Sequence, residues 1–61
     1  MQKFNGESLF KLMEHCRLNN IDFEVRENTI QGLHGIYLMC SDFVKVDSSY
    51  SNCFLISELN E

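Results

Sequence analysis

Only one segment of this chain carries a helical period, and that limits what the rest can become. Leu9, Leu12, Met13 and Cys16 fall at i, i+3, i+4 and i+7, one face of an α-helix. Phe10 widens that stripe, while Glu7, Lys11, Glu14 and Arg17 lie largely on the opposite side. Asn5 is the expected N-cap, and Glu7 falls in the first turn, where the helix dipole favours an acid. Glu7 and Lys11 form a favourable i, i+4 pair, and Arg17 suits the last turn. Asn19-Asn20 can supply the left-handed residue that ends a helix. The spacing therefore predicts one helix over residues 5–19.

After Asn20 the period changes. Ile21-Asp22-Phe23-Glu24-Val25-Arg26 alternates strictly between apolar and charged, the pattern of a strand with one buried and one wet face. Glu27-Asn28 reads as a tight turn, since Asn tolerates positive φ, although it lacks the Gly of a strong hairpin signal. From Thr29 to Cys40 the chain reads as strand again. Gly32 and Gly35 within it suggest a bulge, a bend or a break into two strands. Ser41-Asp42 is a second expected turn, Phe43 to Asp47 a third extended run, Ser48 to Asn52 a turn-rich stretch and Cys53 to Ile56 a last strand. Short connections favour an antiparallel meander. The expected architecture is α+β: one N-terminal helix packed on three to four antiparallel strands, two layers, as a single domain over 1–61.

A chain of 61 residues has little with which to bury two sheet faces. A domain of this size removes only about 60 % of its unfolded surface from water. Yet the later strands are apolar on both sides. Ile36, Leu38 and Cys40 point one way, and Tyr37 and Met39 the other; Cys53 and Leu55 oppose Phe54 and Ile56. One helix covers one face, so the second face is expected to meet another chain. Tyr37, Met39, Phe43, Phe54 and Ile56 are the expected apolar contacts, with Asp42 and Asp47 as nearby acids that pair with basic residues of a target. His34, between Gly32 and Gly35, is expected at a surface bend as a further partner contact. A homodimer through packed sheets or an edge strand is the simplest cover; the alternatives are a different protein, or a long loop or the C-terminal residues 58–61 folding over the patch.

Chemistry is sparse by comparison. Three cysteines, Cys16, Cys40 and Cys53, do not suggest a disulfide framework, and with His15 and His34 they contain no closely spaced ligand pair of the structural zinc type. They read as small core residues. A Cys40–His34 nucleophile pair would lie roughly 20 Å apart along an extended strand. No catalytic residues, cofactor or metal are expected. The formal charge of −4, with five scattered bases, argues against nucleic-acid binding. No run of about 18 apolar residues is present, and the polar segment after Met1 lacks a signal-peptide core. A complete cytoplasmic protein is therefore expected. Ala, Pro and Trp are absent, and since Ala and Pro have GC-rich codons this composition points to an AT-rich genome, as of a phage, a mobile element or a low-GC bacterium. The expected function is a small non-enzymatic binding protein that blocks or modulates another macromolecule, inhibitor- or antitoxin-like. The alternative is a structural or accessory subunit that self-assembles with no separate target, and after it a small Cys/His metal-binding protein.

Overall fold

The computed structural model describes residues 6–46 and 48–60, with no side chain described for residues 6, 7 and 49. The expected Asn5 cap, the Glu7 side chain and Asp47 lie outside the described residues. One helix, α1 (Gly6–Leu18), precedes three strands: β1 (Phe23–Ile30), β2 (Leu33–Val46) and β3 (Ser49–Glu58). The strands form an antiparallel sheet in the order β1-β2-β3. This is the α+β arrangement that the periodicity predicts.

α1 stops where two asparagines interrupt the apolar spacing. Asn20 takes φ 56°, the left-handed conformation that Asn accepts more readily than most residues. The amide of Ile21 then donates to the Cys16 carbonyl at 2.8 Å and that of Asn20 to the Arg17 carbonyl at 3.3 Å. This crossed pair is a Schellman motif, which satisfies carbonyls the helix leaves open. Ile21, just past the cap, folds back onto the core that contains Cys16.

Leu12 and Cys16 of α1 pack on Leu38, Cys40 and Val44 of β2 and Phe54 of β3. Leu9, Met13, Ile21, Phe23, Val46 and Ile56 close the margin of this core. The helical stripe faces the sheet as its spacing implies. Phe10 does not: it is 76 % exposed, one residue off the packed face. Phe54, 1 % exposed, is the largest side chain of this layer. Burying a side chain of that kind contributes about 1.5–3 kcal/mol.

The turns differ from the sequence expectation. Glu27 and Asn28 lie inside β1, opposite Ile36 and Gly35. The chain reverses instead at Gln31-Gly32, where φ is 54° and 81° and Ile30 closes against Leu33. Two positive-φ residues make a type I′ turn, whose twist matches that of the strands it joins. Ser41-Asp42 is not a turn either, because β2 runs through it. Met39 lies opposite Cys53 and Val44 opposite Ser51, so Cys40 to Phe43 stand against Asn52 alone. The surplus residues bow out of the sheet on the β3 side. On the β1 side the Ser41 amide still donates to the Asp22 carbonyl at 2.8 Å.

Candidate interaction surface

The core fixes which side chains lie on the other face. Leu38 meets α1 and lies opposite Phe54, so Tyr37 and Leu55, paired next to them, point away from the helix. Met39 and Cys53 share that side, with Glu24 and Arg26 of β1 across from Met39 and Tyr37. The expected patch therefore divides. Phe54 and Ile56 do not belong to it: they lie on the helix side, Phe54 in the core and Ile56 against it. Their sequence parity was readable, but the register that decides which parity faces the helix is set by the bulges in β2–β3 pairing.

Tyr37 is the second correction. It lies on the open face and yet is 0 % exposed. Its hydroxyl donates to the Leu33 carbonyl, four residues back along the same strand. Four residues of extended strand span about 13 Å, beyond a tyrosine's reach, so β2 must coil between them. Gly35 lies in that coil. A Cβ there would fall 2.8 Å from Leu55 Cδ1 and 3.2 Å from Glu58 Cα, so only glycine lets β3 approach this closely. Ile36 lies opposite Ser57 while Tyr37 lies opposite Leu55, and the unpaired Ile56 makes a bulge that adds twist. Tyr37 thus lies down along the sheet, and the chain covers this side chain itself.

What remains open is at the far end of β2 and β3. Phe43, on the bowed segment, is 61 % exposed, and Tyr50 is 68 % exposed. Val44 and Val46 face the core, so Lys45 and the cross-strand Tyr50 face away from it. The Lys45 ammonium stands 5.9 Å from the Tyr50 ring centroid, a cation–π pair. Asp42 is exposed beside Phe43, whose amide donates to Asp42 Oδ1 at 2.7 Å. Met39 and Cys53 are half-buried, with their sulfurs 3.5 Å apart. His34 lies at the other end of the sheet, near the β1–β2 turn, where its Nε2 donates to Glu27 Oε2 at 2.6 Å. The structure therefore does not bring His34 and Phe43 to one place. Tyr50 and Lys45 were not singled out as a pair by sequence; only the register of β2 on β3 puts them opposite each other.

The cysteines are arranged as packing residues. Cys16 and Cys40 Sγ atoms meet at 3.9 Å between helix and sheet. Burial, then the neighbouring Cys16 thiol, pushes the Cys40 thiol up to about 12. Burial also pushes Cys53 up. A thiol held in its neutral form is a poor nucleophile and a poor metal ligand. Among the described residues no group of three or more His, Cys, Asp or Glu side chains converges on a metal-sized site. Two open depressions, of about 310 and 340 Å³, lie at the start of β1 (Asp22, Phe23, Glu24, Met39) and between α1 and the end of β2 (Lys11, Leu12, His15, Val44). No helix of the described residues is long and apolar enough to cross a membrane. Compared with known proteins, the chain matches no family model, no curated sequence and no solved structure.

Proposed function

We propose that this chain is a small non-enzymatic binding protein that occupies a surface of another macromolecule and blocks or modulates it, in the manner of an inhibitor or antitoxin. It acts in the cytoplasm and as a homodimer. The observation that carries the reading is the exposure of Phe43 and Tyr50 at one end of the sheet, on a chain with few exposed aromatic side chains elsewhere among the described residues. Aromatic side chains are the usual anchors of protein interfaces, because they bury much area for little conformational entropy. Lys45 stacked near Tyr50 and Asp42 beside Phe43 supply a polar rim of both signs. The neutral, buried Cys40 thiol favours this reading over a thiol enzyme.

The test is capture from lysate of the source cell or its host with the tagged chain, compared with Phe43→Asp and Tyr50→Asp. A stoichiometric protein retained by the wild type and lost from both variants supports the proposal. Retention of nothing by the wild type, or equal retention by all three, overturns it.

A further inference from the structure

We infer that the homodimer forms by antiparallel pairing of β1 with β1 of a second copy, about a two-fold axis at Val25, giving one continuous six-stranded sheet. This rests on the homodimer part of the reading above and supplies its surface. β1 is an outer strand of the sheet, so one row of its backbone groups faces away from β2; of that row the Thr29 amide, beyond the central pairs, donates to Asn28 Oδ1 at 2.8 Å. Which row follows from the hairpin. Ile30 closes the two-residue turn with Leu33 and so turns its backbone groups toward β2. Alternation carries this to Asn28, Arg26, Glu24 and Asp22, and the bond from the Ser41 amide to the Asp22 carbonyl agrees. The amides and carbonyls of Phe23, Val25, Glu27 and Thr29 therefore point outward.

A second copy must engage that outward row, which leaves few registers. With Val25 opposite Val25 of the second copy, Phe23 lies opposite Glu27, and each of these pairs exchanges both backbone bonds. The intervening pairs set Glu24 opposite Arg26 of the second copy, and Arg26 opposite Glu24. These are non-hydrogen-bonded pairs, whose Cα atoms approach to about 4.5 Å, so opposite charges meet where side chains are closest. The neighbouring registers that use the same outward groups put Arg26 against Arg26, or Glu24 against Glu24. Only the Val25 register matches charge on both sides of the axis.

Three observations fit this occupant. Glu24 and Arg26 are already on one face, 3.3 Å apart, with side chains 63 % and 54 % exposed. Val25 is 50 % exposed on the helix side, where a second Val25 would cover it. All eight residues of β1 pair with β2 without a register shift, so the edge is regular. β3, the other edge, carries two irregularities in its pairing with β2, the kind of break that protects an edge from docking. Charges on an edge strand commonly prevent pairing, but charges of one sign do this; here the signs alternate and are complementary to themselves.

The test is molar mass by light scattering across a concentration series, with circular dichroism to confirm folding. The wild type should reach twice 7.2 kDa. Glu24→Arg and Arg26→Glu should each raise the dimer dissociation constant by at least about tenfold, since two attractive pairs become repulsive. Mixing these two variants should restore dimers as heterodimers, and the double variant Glu24→Arg/Arg26→Glu should dimerise alone. A wild type that stays monomeric, single variants that dimerise like the wild type, or a mixture and a double variant that both fail to recover overturns the inference. Phe43→Asp and Tyr50→Asp lie away from this edge and should leave the mass unchanged. A monomer that still captures a target through Phe43 and Tyr50 sinks the edge dimer and leaves target binding standing. A dimer that captures nothing does the reverse.

Discussion

Replacing Gly35 with alanine adds one methyl group, and the structure says that there is no room for it. The new Cβ would lie 2.8 Å from Leu55 Cδ1 and 3.2 Å from Glu58 Cα, with the Ser57 carbonyl closer still. Carbon atoms rest at about 3.5–4.0 Å. The leucine can rotate, but the other two neighbours are β3 backbone, so relief requires β3 to move off β2. That motion also pulls on the bond from the Leu59 amide to the His34 carbonyl, 2.8 Å long. Overpacking costs about 1–3 kcal/mol and a weakened backbone bond about 0.5–1.5. The stiffer unfolded chain returns about 0.4–1. The net loss is about 2–3 kcal/mol, from a fold of this length worth roughly 3–9. Gly32→Ala is the matched control, because nothing lies within 4 Å of its Cβ position and only the φ of 81° opposes the change. Its cost is about 1 kcal/mol, the left-handed penalty less the same entropy gain. Urea unfolding followed by circular dichroism, at one fixed protein concentration, measures both. A Gly35→Ala protein within about 0.5 kcal/mol of wild type, or more stable than Gly32→Ala, would refute the close approach of β3 to β2 at Gly35.

Three further outcomes are expected. Cys40 is harder to ionise in the fold, at about 12 against 9.0, so the unfolded chain gives up this proton first. Stability is then full below about pH 9 and falls between about 9 and 12, by up to about 1.4 kcal/mol per pH unit; Cys40→Ala flattens that limb in unfolding titrations, and an unchanged slope counts against the assignment. Phe54→Ala leaves a cavity in the core and costs about 3–5 kcal/mol, while Phe43→Ser and Tyr50→Ser stay within about 0.5; thermal melts of the three give that order or contradict the face assignment. Asn20→Val forces a β-branched residue into the left-handed cap and costs about 1–2 kcal/mol, read as a lower urea midpoint.

Helix α1 and its end were legible because their signals are local. The spacing of Leu9, Leu12, Met13 and Cys16 marks the buried face, and Asn19-Asn20 marks the stop whatever the helix packs on. The first hairpin was legible only in part. Residues 27–30 alternate in burial, with Asn28 and Ile30 half-buried, but Glu27, Asn28 and Thr29 are all polar and so show no alternation of hydropathy in the sequence. The true turn at Gln31-Gly32 offers Gly32 as a signal, but Gln31 is an unusual occupant of the left-handed position. Of the expected contact residues, Phe43 and Asp42 are exposed, Met39 is half-buried on the open face, and Tyr37 and Phe54 are interior.

By itself the sequence determined one helix, its buried stripe, a following antiparallel sheet and a surplus of apolar strand positions over what one helix covers. These are properties of periods and counts, which need no knowledge of what lies opposite. The tertiary structure decided the fate of that surplus. Strand parity says that Tyr37 and Leu38 face opposite ways, but not which of them the β3 register pairs with Phe54. Nor does parity report that a coil at Gly35 lays Tyr37 along its own strand, while a bowed segment pushes Phe43 into water. The first follows from close approach between Gly35 and residues some twenty positions on, the second from the offset between the Met39–Cys53 and Val44–Ser51 pairs; neither leaves a periodic signal in a single sequence.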